Sequence, residues 1–224
     1  YRGHEVVWPD ATPLTPEEVL ALDAYCRDRY VELVPNQNSF AHMERWLRHE
    51  PYRQLAEIPE SPQTLCPTDP KSLELIEDLY GQLLPHFTSR QVNVGCDETD
   101  QVGQGRSKEA VEQRGYAQVY LDFLKKLHGI VRKHGKTMQF WADMAIKHPE
   151  VLNDLPEGAI ALIWYYEDEH LDYFPKGAKA CADAGVPFYM CPGTGTWISL
   201  TGRTKNALTN LAQAAEVGKQ FGAI

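Results

Sequence analysis

Short apolar runs alternate with amphipathic helical stretches along most of the chain, and this alternation limits the available folds more than any other feature. Strands joined through helices pair in parallel, and the helices then cover the sheet. Thr15, Pro16 and Glu18 form a capping box with proline at the first helical position, opening a helix whose predicted buried face is Val19, Leu22, Cys26 and Tyr30. That helix leads into the apolar run Val31 to Val34. A second helix starts at Asp69 and Pro70, carries Leu73, Ile76, Tyr80 and Leu83, and leads to the run Gln91 to Val94. A long helix from about Tyr116 to His134, striped by Tyr120, Phe123, Leu127 and Ile130, stops at Gly135 before the run Thr137 to Trp141. The runs Ile160 to Trp164 and Pro187 to Cys191 flank a further helix ending near Ala184 and Gly185. A last helix covers about Asn206 to Phe221.

Five predicted parallel strands fit either an open doubly wound sheet or part of a (β/α)8 barrel. The placement of polar and aromatic residues favours the barrel. They gather just after each run: Asn36, Gln37 and His42; Asp97 and Glu98; Asp143 after Trp141; Tyr165 and Tyr166; and Trp197. Barrel enzymes build their sites from the C-terminal ends of many strands.

Charge and cysteine usage narrow the function classes. The net charge is −9 and Lys and Arg form no stripe, so the electrostatic footprint of a nucleic-acid binder is missing. No apolar run approaches the roughly 18 residues needed to span a bilayer. Cys26, Cys66, Cys96, Cys181 and Cys191 are odd in number and irregularly spaced, which reads as free thiols in a reducing, cytoplasmic setting. The eight His show no ligand spacing, so neither a metal nor another cofactor is expected. GQGRS and GTGTW hold paired glycines without the spacing of a phosphate cradle and read as loops.

The chemistry-bearing candidates are a carboxylate pair and a set of aromatics. Asp97 and Glu98 close the stretch QVNVGCDET at a strand end; a bland alternative is a helix N-terminus, where acidic residues meet the dipole. Trp141, Trp164 and Trp197 each lie at or just past a strand end. Pyranose rings offer C–H faces to aromatic walls and hydroxyls to charged groups, so this set suits a sugar-cleaving site, although any single Trp could equally belong to a core.

VNVGCDET, together with FWADM, LIWYYE and CPGTGTW, resembles glycoside hydrolase family 20, particularly its hexosaminidase D-like branch, over the whole chain. The family fingerprint His-x-Gly-Gly-Asp-Glu is changed here to Asn93 and Cys96 at its first and fourth positions, with the Asp-Glu pair kept. The resemblance implies a (β/α)8 TIM barrel and a retaining exo-β-N-acetylhexosaminidase acting on terminal β-linked GlcNAc or GalNAc. It implies that Glu98 is general acid and then base. It also implies that Asp97 would orient the substrate's acetamido group, whose oxygen would attack the anomeric carbon to give an oxazolinium intermediate. Tyr166 would donate to that oxygen, and Trp141, Trp164 and Trp197 would wall the pocket. VPNQNSFAHMERW matches the region where the family carries Pro-Gly-His, which places His42 at the substrate. Asn38 stands where many relatives have an Asp that supports this His, so His42 would act through hydrogen bonds or serve only structurally. Asp143 would bind a sugar hydroxyl or brace the rim.

The resemblance also implies a single catalytic barrel domain over residues 1–224 that is partial at both ends, holding about strands three to seven. A natural N-terminus upstream of Tyr1 is then expected, and an isolated 224-residue chain is expected to be inactive and poorly soluble. Two other classes remain open from sequence: another substrate-assisted glycosidase of the O-GlcNAcase or chitinase type, and a non-catalytic sugar-binding barrel. The expected partner is a carbohydrate ending in N-acetylhexosamine, with neither nucleic acid nor membrane.

Overall fold

The computed structural model describes residues 1–167, 170 and 172–224, which pack as two compact units, Tyr1–Met138 and Gln139–Ile224.

In the first unit, the helix Pro16–Arg27 begins as its capping box predicts: the Thr15 hydroxyl accepts from the Glu18 N–H and the Glu18 carboxylate accepts from the Thr15 N–H. Its predicted apolar face does not hold. Leu22 is 42% and Tyr30 101% exposed, and the buried position goes to Asp23, which accepts from the Thr88 N–H and hydroxyl. The run Val31 to Val34 is not a strand. The chain leaves the helix through Tyr30 at φ 60°, with the Val31 N–H returned to the Cys26 carbonyl, so the first backbone group of that run is already spent. Parallel pairing survives at a single bridge, Asn36 with Asn93, where Asn93 donates to Pro35 and accepts from Gln37.

The helix Pro70–Leu83 starts under an Asp69 cap, and it buries Leu75, Ile76, Leu79 and Tyr80. It precedes β1 (Gln91–Asn93). The helix Tyr116–Lys133 buries Tyr120, Phe123, Leu127 and Ile130 along the predicted stripe. The core forms where these elements meet Phe40, whose ring lies 4.3 Å from Phe123 and 5.9 Å from Tyr120. Phe40 thus anchors the segment that presents His42 two residues later.

The strand β2 (Thr137–Trp141) leads into the second unit, where it pairs in parallel with β3 (Ile160–Tyr165), and β3 pairs in parallel with β4 (Phe188–Pro192). Both faces of β3 are covered, which matches its continuous apolar run Ile160 to Ile163. The helix Tyr173–Asp183 lies on β3, and its Gly177 faces Ile146 and Ile163. The helix Thr204–Phe221 packs against β4 and the preceding helix. Among the described residues no helix is long and apolar enough to cross a membrane.

Candidate active site

After β1 the chain does not enter a helix. Residues 94–99 form an irregular turn, and the next helix, Lys108–Arg114, starts ten residues beyond Glu98, so Asp97 and Glu98 do not cap a helix. The backbone is held in the left-handed region at Cys96 (φ 77°) and Glu98 (φ 49°), and also at His42 (φ 57°). Three non-glycine residues in that region within one site carry strain of order 1–3 kcal/mol each, which persists only where the surroundings enforce it. Here the Asn93 amide oxygen accepts from the Gly95 N–H, and the buried Tyr120 hydroxyl donates to the Cys96 carbonyl.

This contorted turn has a direct geometric result. Neighbouring side chains on an extended strand point to opposite faces, yet Asp97 Oδ2 and Glu98 Oε2 each lie 3.3 Å from His42 Nε2. Asp97 is the more sheltered of the two carboxylates, with its side chain 18% exposed against 51% for Glu98. A cavity of about 250 Å³ opens beside Glu98 and His42, with Gln63, Thr64, Asp100 and Gln101 among its walls. His42 therefore meets both catalytic candidates directly.

The second unit carries the aromatic candidates. Trp164 and Tyr166 lie 5.1 Å apart, and Tyr166 meets Trp197 edge-on at 4.8 Å. The close approach depends on Gly193, because a Cβ there would stand 2.5 Å from Tyr166 Cδ1 and 2.6 Å from Trp197 Cη2. Trp197 is 59% exposed, so it is not a core residue. Trp141 ends β2, outside this trio, while Asp143, 4% exposed, opens the short helix Asp143–Lys147. Burial pushes the Tyr173 phenol up to about 12, with the Asp143 charge contributing.

Two asparagines that no sequence motif marks as site residues hold the trio in place. Asn206 donates to the Tyr166 carbonyl, and Asn210, fully buried, accepts from the Gly193 N–H and donates to the Glu167 carbonyl. Arg203 adds an ion pair to Glu167 at 2.6 Å. Arg203, Asn206 and Asn210 fall at helical spacing on one face, and amides on the inward face of an amphipathic helix were the signal that could have found them.

The model for the glycosyl hydrolase family 20 catalytic domain matches residues 6–220. Hexosaminidase D of Bos taurus is 28% identical over 167 residues, covering 72% of this chain and 46% of its own length. Among solved structures, a Flavobacterium johnsoniae chitobiase superposes with TM-score 0.69 at 20% identity, covering 83% of this chain and 29% of its own. A mutant Streptomyces plicatus β-hexosaminidase in complex with product GlcNAc gives TM-score 0.61 at 20% identity, over 84% and 36%. The chain thus spans less than half of each of these proteins. Its parallel strands and helices are part of a (β/α)8 barrel. By sequence and by fold, the chain belongs to glycosyl hydrolase family 20.

Proposed function

We propose that the protein is a retaining exo-β-N-acetylhexosaminidase in which the substrate's acetamido group is the nucleophile. The observation that carries this reading is the strained turn at Cys96 and Glu98, which brings two adjacent carboxylates to one side of the chain and onto His42. One backbone turn then offers two carboxylates of different exposure, suited to different tasks. Asp97, the sheltered one, accepts the acetamido N–H and so orients the carbonyl oxygen toward the anomeric carbon. Glu98, the exposed one, faces the cavity and gives its proton to the departing glycosidic oxygen.

In the first step the acetamido oxygen forms a bond to C1 as the C1–O bond to the aglycone breaks, and the Glu98 proton goes to the aglycone. The positive charge resides on the oxazolinium ring, next to Asp97. In the second step Glu98, now a carboxylate, takes a proton from water as the water oxygen attacks C1 and the oxazoline opens. Two inversions leave the configuration retained, without an enzyme nucleophile, a recognised exception to the paired-carboxylate scheme. His42, within reach of both carboxylates, bridges them and helps fix their positions. Tyr166 is assigned as donor to the acetamido oxygen, Trp141, Trp164 and Trp197 as apolar walls, and Asp143 as a rim brace or hydroxyl ligand. The aryl β-glycosides of GlcNAc and GalNAc are both expected substrates.

The test is a pair of measurements on one preparation. Proton NMR of the first-formed product should show the β-anomer, and a thiazoline that mimics the oxazolinium should inhibit far more tightly than the product sugar binds. The α-anomer as first product, or a thiazoline no better than the product, would exclude substrate assistance.

A further inference from the structure

We infer that Glu57 is a positioning residue for the general acid: it ties together the two walls of the cavity beside Glu98 and thereby fixes where Glu98 meets the aglycone. The inference rests on the acid role proposed for Glu98. Glu57 is fully buried, and one of its carboxylate oxygens, Oε1, accepts three hydrogen bonds: from the Gly105 N–H at 3.0 Å, the Ser107 N–H at 2.9 Å and the Ser107 hydroxyl at 2.8 Å. Its backbone is equally engaged, since the Glu57 carbonyl accepts from the Arg106 N–H at 3.0 Å and the Glu57 N–H donates to the Thr64 carbonyl at 2.7 Å.

These bonds run to both sides of one cavity. Thr64 and Gln63 form one wall. Asp100 and Gln101 form the other, on the loop that continues from Glu98 and closes at Ser107. The loop is pressed onto Glu57 so closely that a Cβ at Gly105 would stand 2.1 Å from the Glu57 carbonyl oxygen, so only glycine fits there. Gln101 adds a cross-wall bond of 2.9 Å from its side-chain amide to the Ser61 carbonyl. Three donors converging on one oxygen call for a strong acceptor, and a carboxylate meets them better than a neutral group. Both walls of the cavity thus hang on this one residue, and the loop that forms the second wall continues from Glu98.

The test compares Glu57→Ala, Glu57→Gln, Ser107→Ala and Glu98→Gln. Each is assayed on a β-GlcNAc glycoside with a sugar leaving group and on one with an acidic phenol. Rates are expressed per active site titrated with a thiazoline, so that misfolded protein does not count. Glu57→Ala should lose on the order of 10²-fold in kcat/KM on the sugar aglycone, as expected when a reacting group is held wrongly. On the acidic phenol, which departs without a proton, it should lose less than about tenfold. Glu57→Gln keeps a weaker, neutral acceptor for the three donors and should restore part of the loss. If Glu57→Ala does not fold, Ser107→Ala, which removes one donor, should show the same split at smaller amplitude. Unchanged rates per titrated site, or equal losses on both substrates, would make Glu57 a purely structural residue while leaving the Glu98 assignment standing. If Glu98→Gln itself shows no dependence on the leaving group, the acid assignment falls and this inference falls with it.

Discussion

At the residue scale the site depends on side chains held where their backbone would not ordinarily put them. Cys96, Glu98 and His42 all sit in the left-handed region, and their placement brings His42 within 3.3 Å of two consecutive carboxylates. The motif QVNVGCDET identifies the carboxylates but not the strain, because a left-handed Glu leaves no mark in composition. His42 was legible as a strand-end residue, whereas its contact with both acids depends on that backbone. Glu57, Asn206 and Asn210 were not legible: a buried polar group looks like a surface one until its partners are known. Trp197 permits a prediction of its own. It is 59% exposed and rests on Tyr166. Trp197→Ala should raise KM about tenfold, equivalent to roughly 1.4 kcal/mol of lost binding, and change unfolding free energy by less than about 0.5 kcal/mol. Phe123→Ala, in the fully buried core, should instead cost about 3–5 kcal/mol. Chemical denaturation of both variants alongside steady-state kinetics separates these roles, and a comparable stability loss at Trp197 would remove it from the site.

At the element scale the caps and stripes were the most legible features. Thr15 with Glu18, and Asp69 with Pro70, begin their helices as written, and the Tyr120, Phe123, Leu127 and Ile130 stripe is buried in full. The helix Pro16–Arg27 was the exception because its apolar side chains do not follow one buried face, and Asp23 is held inside by Thr88. Val31 to Val34 had strand composition, but a strand also needs a ladder, and only Asn36 finds one. Asp69 joins an element to the site loop, since it caps the helix Pro70–Leu83 and pairs with Arg106 at 2.6 Å. Partial burial opposes its ionisation, yet the Arg106 hydrogen bond and the Lys71 N–H hold its carboxyl below the usual carboxylate range. A carboxyl whose folded value is lowered stabilises the protein above its unfolded pKa, near 3.9, and loses that contribution as the pH falls through the folded value. Asp69→Asn keeps the cap and loses the ion pair, so it should cost up to about 1 kcal/mol between pH 5 and 8. The gap from wild type should close below about pH 4. Melting curves across that range check the sign, and a gap that widens in acid would contradict it.

At the scale of the whole molecule, the parallel β/α order was legible from periodicity and loop length, and the family was legible from four short segments in the right order. What periodicity could not supply was the division into two compact units, because packing within each depends on contacts far apart in sequence. The five cysteines are all free. Burial pushes the Cys181 and Cys191 thiols up to about 12, so little thiolate exists at pH 8. Both should therefore resist iodoacetamide in the folded protein and react on unfolding, as read by mass spectrometry of the alkylated peptides. Rapid native-state labelling of Cys181 would mean that the packing around the helix Tyr173–Asp183 opens readily.

Two adjacent carboxylates with different tasks should answer differently to the leaving group, and leaving-group dependence measures that difference directly. With a poor sugar leaving group, Glu98→Gln should lose on the order of 10³-fold in kcat/KM, and most of that loss should vanish with an acidic phenol that departs unprotonated. Asp97→Asn should lose on the order of 10²-fold or more with every aglycone, because a misplaced acetamido oxygen slows each attack alike. Recovery of the Glu98 variant alone is the predicted result, and the same dependence on leaving-group acidity in both variants would contradict the division of labour.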